Sequence, residues 1–162
     1  MRDVICNTSP LQYLYQTDLL HLLSGLFGSV QVPTAVAAEL AEGRRRGVRL
    51  PELAHLPWMT VRSVRERRLL PLVTSLGSGE KEVLALGLEA SDHLLVLDDR
   101  DARRHAIAAG LEVTGTLGIL VLAKEHGLLD SIRPALNRLQ ALRFRLSTET
   151  YRAALDLANE EY

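Results

Sequence analysis

Oxygen-bearing side chains recur where the apolar runs of this sequence stop, a placement suited to hard cations and phosphodiester chemistry. Val4-Ile5-Cys6 stops at Asn7-Thr8-Ser9, Leu94 to Leu97 stops at Asp98-Asp99, and Glu112 to Thr114 stops at Gly115-Thr116. Glu39 follows the short run Val30 to Val32, and Glu80 and Glu82 open the helical stretch that feeds Leu94. Clustered carboxylates are costly unless a cation neutralises them, and hard oxygen donors select magnesium or manganese over zinc. Such an ion lowers the pKa of a bound water and stabilises charge building on a phosphodiester. Singly, each residue has an ordinary reading. Asp98-Asp99 suits the cap of a helix from Arg100, Glu80 beside Glu82 favours a helix dipole, and Glu39 is a solvated carboxylate.

These residues meet only if the strand ends share an edge. Ser9-Pro10 reads as an N-cap with proline at the first helical position. Leu11, Leu14, Leu19, Leu20, Leu22 and Leu23 then keep a helical rhythm, broken near Thr17-Asp18 and stopped at Gly28. Val30 to Val32 is a second strand, Pro33-Thr34 opens a helix through Leu40, and Gly47 to Pro57 reads as a loop or irregular helix. Trp58 to Val64 alternates like an edge strand, Arg65 to Leu76 is a candidate helix, and Ser78 caps a helix over Glu80 to Ala90. A helix to Ala109 follows the second wholly apolar strand, and helices over Leu117–His126, Ser131–Leu142 and Thr148–Glu160 complete the chain. Strands alternating with helices imply a parallel sheet with right-handed crossovers. Asn7, Asp98, Asp99, Thr114 and Thr116 then lie on its carboxyl edge, and Asp3 and Asp92 on the far edge.

With 162 residues the chain suits a single α/β domain, residues 1–162, and its net charge of −1 does not describe a generally basic nucleic-acid binder. The cations are nearly all arginine, clustered at Arg44–Arg46, Arg62–Arg68 and Arg100–Arg104. Arg44, Arg45, Arg46, Arg100 and Arg103 are candidates for phosphate contact, with solvated helix faces the plainer alternative. Cys6 is the only cysteine, so no intrachain disulfide forms, and the histidines lack metal-ligand spacing. No leader opens the chain and no apolar run is long enough to span a bilayer, so a cytoplasmic protein with no membrane partner is expected.

Along nearly the whole length the chain resembles the PIN-domain family, specifically the toxin-like ribonuclease branch that begins with a strand and Asn or Asp-Thr-Ser-Pro-Leu. The resemblance rests on Asn7-Thr8-Ser9-Pro10-Leu11, Val32-Pro33 with Glu39-Leu40, and Gly79-Glu80-Lys81-Glu82. It continues through Leu97-Asp98-Asp99-Arg100 with Ala102-Arg103, and Gly115-Thr116-Leu117-Gly118. It implies a three-layer α/β/α fold with a central parallel sheet, and a magnesium- or manganese-dependent ribonuclease cutting single-stranded RNA. It further implies an antitoxin protein as partner and a homodimer, for which the leucine-rich helices after Pro10 offer an apolar face. Carried over by residue, Asn7 falls on the family's first aspartate, Glu39 on the second acid, Glu82 on the third with Glu80 as the alternative register, and Asp98 and Asp99 on the fourth. Thr8, Ser9 and Thr116 match the hydroxyl positions around that site. An amide at Asn7 brings no charge and no general base. A second expectation therefore stands beside the nuclease: a PIN-fold module that holds RNA or a protein without cutting.

Overall fold

The computed structural model describes residues 2–72 and 74–162. Its strands are β1 (Asp3–Cys6), β2 (Val30–Pro33), β3 (Met59–Arg62), β4 (His93–Val96) and β5 (Val113–Thr114). They form one parallel sheet in the order β3-β2-β1-β4-β5. The helices are α1 (Thr8–Gln16), α2 (His21–Phe27), α3 (Thr34–Arg45), α4 (Ser78–Glu89), α5 (Arg100–Ala108), α6 (Thr116–Glu125), α7 (Arg133–Ala141) and α8 (Thr148–Leu157). They cover both faces of the sheet in a three-layer α/β/α arrangement.

The chain runs outward from β1 to β3 on one side and from β4 to β5 on the other, so the strand order reverses between β1 and β4. Val4 pairs with Leu94, Ile5 with Leu95 and Cys6 with Val96. Both strands are buried on both faces, which explains their unbroken apolar sequence. Open α/β sheets place ligands in the crevice outside the carboxyl ends of such a pair.

The sequence expectations differ from the structure in four places. Proline does not open α1: Asn7 is the N-cap and Thr8 the first helical residue, so Pro10 sits later in the first turn, where a missing N–H still costs no helical bond. Gly77, not Ser78, precedes α4. Among its described residues, Arg65 to Leu76 contains only a short 3₁₀ turn, Arg67–Leu69: Leu69, Leu72 and Leu76 keep a helical spacing, but Pro71 interrupts the segment; Val73 lies outside the described residues. Leu11, Leu14, Leu19, Leu20, Leu22 and Leu23, whose apolar face was to support self-association, are buried in the core instead.

The end of the chain is held by one carboxylate. Glu160 accepts from Ser131 Oγ at 2.5 Å and from Ile132 N at 2.7 Å, and Lys124 Nζ lies 3.1 Å away. Burial raises its pKa, but these partners more than reverse that and hold it at about 2, against an ordinary 4.5. A depressed folded-state value means that the clamp stabilises fully above pH 4.5 and is lost as the pH falls toward 2. Glu160→Gln is expected to lower stability by about 1–3 kcal/mol at neutral pH. Urea unfolding across the acid range checks this, because the gap to wild type should close there.

Candidate active-site cleft

Asn7 stands at the carboxyl end of β1, its backbone N–H donating to Val96 O of β4 at 3.1 Å. Asparagine is among the best N-cap residues, yet its side chain makes no cap bond to α1. The residue is only 4 % exposed, and its Oδ1 is buried without a hydrogen-bond partner among the described residues. An orphaned buried acceptor costs about 1–3 kcal/mol, and such a group calls for an explanation such as an ion or water.

Gly79, in the first turn of α4, leaves room for that oxygen. A Cβ there would lie 2.7 Å from Glu39 Oε1 and 3.0 Å from Asn7 Oδ1, so the two side chains converge on one point. Glu39 is aimed by two bonds, Gly79 N donating to Oε1 at 3.1 Å and Thr8 Oγ1 donating to Oε2.

Beyond β4, Asp98 accepts from Thr116 N and Thr116 Oγ1, both at 2.7 Å, and from Ser9 Oγ at 3.4 Å. Gly115 permits this close approach, because a Cβ there would lie 2.9 Å from Asp98 Oδ1 and 2.8 Å from an Arg103 guanidinium nitrogen. Burial raises the Asp98 carboxyl, and the Thr116, Arg103 and Ser9 contacts do not fully offset it. Asp99 caps α5, its Oδ2 accepting from Ala102 N at 2.9 Å. Capping and cleft roles therefore coexist in one carboxylate.

Asn7, Ser9, Glu80, Asp98 and Asp99 line a cleft of about 430 Å³ together with Tyr13, Arg143, Phe144 and Arg145. Glu80 faces this cleft, whereas Glu82, the favoured register in the sequence, points elsewhere. Its Oε1 accepts from Ala35 N at the start of α3 at 2.9 Å, and Arg67 lies 3.7 Å from its other oxygen. Residues two apart on a helix lie about 200° apart around its axis, so only one can face the cleft. Burial raises the Glu80 carboxyl, and the neighbouring charges of Glu39 and Asp99 add to the rise.

The arginines read as phosphate contacts are mostly spent on protein partners. Arg44 pairs with Glu52 at 3.0 Å, and Arg45 and Arg46 both pair with Glu42. Arg103 donates to Leu97 O at 3.1 Å beside Asp98; Arg100 stays exposed at the first position of α5. Sequence reasoning missed Tyr13, Arg143 and Arg145 as cleft residues. The available signal was the end of α7, where arginine follows the helix at a position glycine usually takes.

The donor chemistry fits a hard divalent cation: an orphaned amide oxygen, carboxylates raised by burial and mutual repulsion, and hydroxyls that orient rather than ligate. Among the described residues no three His, Cys, Asp or Glu side chains alone form a metal-holding group. Asn7 occupies one corner of the arrangement, and Asp98 is already committed to Thr116.

Two stability measurements follow. Asp99→Ala, which removes the cap, is expected to cost about 1 kcal/mol, whereas Asp99→Asn keeps a competent cap and should unfold at nearly the wild-type urea concentration. Glu80 has a raised folded-state value, so its ionised form opposes folding, and stability is gained as the pH falls through that value. Glu80→Gln should therefore melt higher than wild type at neutral pH in metal-free buffer, with the advantage shrinking on acidification in parallel thermal scans.

No helix among the described residues is long and apolar enough to cross a membrane. No curated protein matches the chain. A family model described as a PIN domain matches residues 3–160. PIN domains have a nuclease-type fold, commonly bind nucleic acid and usually work with divalent metal ions. With that match spanning nearly its whole length and with the parallel sheet and acidic switch-point cleft described above, this chain belongs to the PIN-domain family.

Proposed function

We propose that the chain, acting as one domain over residues 1–162, is a metal-dependent endoribonuclease that cuts single-stranded RNA in the cleft between β1 and β4. The observation that carries this reading is the unpartnered Asn7 Oδ1 meeting the Glu39 carboxylate over Gly79, with Glu80, Asp98 and Asp99 around the same crevice. Magnesium or manganese would be held by Asn7, Glu39, Glu80, Asp98 and Asp99; when bound, the ion supplies an activated water and a counter-charge for the phosphodiester. Thr8 and Gly79 N aim Glu39, and Thr116 and Ser9 aim Asp98. Glu82 leaves the ligand set in this reading and braces α4 against α3 through Ala35 N. The same reading makes the protein a cytoplasmic toxin, restrained by an antitoxin and self-associating through a surface other than the buried α1 and α2 leucines.

A second reading has an observation of its own. Asn7 places a neutral amide where the resemblance implies an acid, so the cleft has one negative charge fewer with which to hold an ion. In that reading the fold binds RNA without cutting it.

Incubating the protein with labelled single-stranded RNA, with and without manganese, separates the two. The nuclease reading expects metal-dependent cleavage that falls roughly 10²-fold or more in Asp99→Asn, a variant that keeps the α5 cap. Binding without cleavage by the wild type, with cleavage appearing in Asn7→Asp, establishes the second reading.

A further inference from the structure

The cleft that holds the acids also has a cationic and aromatic lining, and it comes from the segment joining α7 to α8. Arg143 and Arg145 flank Phe144 there, and all three line the cleft. Phe144 is anchored edge-on to Tyr13 of α1, with ring centroids 4.9 Å apart at 86°. The segment is thus tied to the element that begins at Asn7.

Neither guanidinium is spent on the protein. Among the described residues, Arg143 and Arg145 make no ion pair and no side-chain hydrogen bond, although carboxylates line the same cavity. The arginines on α3 do the opposite, each pairing with a glutamate. Two unpaired cations lining the same cleft as Glu80, Asp98 and Asp99 suit a ligand that is itself anionic along its length.

The backbone at Arg143 points the same way. Six helices end with a left-handed residue whose N–H and following N–H turn back onto the last turn, at Asp18, Gly47, Gly110, Gly127, Arg143 and Asn159. Glycine, or a short Asp or Asn, fills every such position but one. Arg143 holds φ at 65°, its N–H donating to Gln140 O and that of Phe144 to Leu139 O, both at 3.1 Å. Glycine would hold this turn with less strain, so the backbone does not account for the arginine.

We infer that Arg143 and Arg145 hold successive backbone phosphates of the single-stranded RNA as it crosses the cleft, an inference that rests on the ribonuclease reading above. Guanidinium groups match phosphate oxygens bidentately, and the carboxylates of the same cleft are left for the reacting phosphate.

The test measures binding of a fluorescein-labelled single-stranded RNA by anisotropy, in magnesium, on the Asp99→Asn protein so that the RNA stays intact. Adding Arg143→Gly with Arg145→Gln is expected to weaken binding roughly ten- to a hundredfold. It should also flatten the plot of log affinity against log salt by about 1.4, at about 0.7 for each phosphate no longer neutralised. Arg152→Gln, the loss of one arginine charge on α8 at a residue stacked over Tyr162, should leave both readouts unchanged. Arg143→Gly alone should melt no lower than wild type while binding RNA more weakly, a pairing that a structural arginine would not give. If the parent protein binds RNA and cuts it when Asp99 is restored, yet the double variant keeps affinity and salt slope, the inference falls and the ribonuclease reading stands. A wild-type chain that neither binds nor cuts single-stranded RNA removes both.

Discussion

Everything in the cleft depends on the pairing of β1 with β4. That contact joins residues about ninety positions apart in the chain, and it sets Asn7 next to Asp98 although nothing local relates them. The strand order reverses there, so the helices that follow β1 and β4 diverge to opposite sides and leave a crevice that neither fills. β2 contributes less directly: its helix runs about one and a half turns before Glu39 reaches back to Gly79. The cleft is a consequence of sheet order first and of residue type second.

Within the cleft the governing constraint is charge. Burial raises the cost of ionising Glu80, and the nearby charges of Glu39 and Asp99 add to it. At Asp98 and Glu39 the chain holds the carboxylates mainly with hydrogen bonds rather than with salt bridges. Thr116, Ser9, Thr8 and the Gly79 amide are all neutral donors, which fix carboxylate direction while leaving net negative charge in place. Arg103 is the exception, yet it is tied to Leu97 O and does not bring the Asp98 carboxyl back to its ordinary range. Elsewhere the same protein neutralises carboxylates directly, as Lys124 does for Glu160. In the cleft, by contrast, the Asp98 and Glu80 carboxyls stay raised above their ordinary range.

The sheet was largely legible in the sequence because its signals are local. Wholly apolar runs at Val4 to Cys6 and Leu94 to Leu97 identify strands buried on both faces, and the oxygen-bearing residues that end them lie at the sheet's carboxyl edge. The strand order was not legible, since hydrophobicity along a strand says nothing about which strand lies beside it. The two glutamates of α4 were undecided for a related reason: Glu80 and Glu82 both flank the apolar stripe, and only tertiary packing against Ala35 turns one away. Arg65 to Leu76 reads as helical because Leu69, Leu72 and Leu76 keep a helical spacing, but Pro71 sits in its midst. Arg143 and Arg145 carry no motif, and their place beside Asp98 comes from the docking of Phe144 on Tyr13.

Asn7 separates fold from chemistry. As an N-cap it is interchangeable with aspartate, and its backbone does the same work in holding β1 to β4, so the architecture is indifferent to the choice between them. The cleft is not indifferent, because an amide oxygen donates a lone pair without contributing charge. Burying that oxygen without a partner opposes folding, and a serine or threonine cap bonded to α1 would avoid the cost. That the side chain is held out of its capping bond and aimed at the Glu39 carboxylate shows that local helix stability does not set its direction. A ligand that completes both oxygens resolves the conflict, and a hard cation is the ligand whose chemistry matches an amide and a carboxylate together.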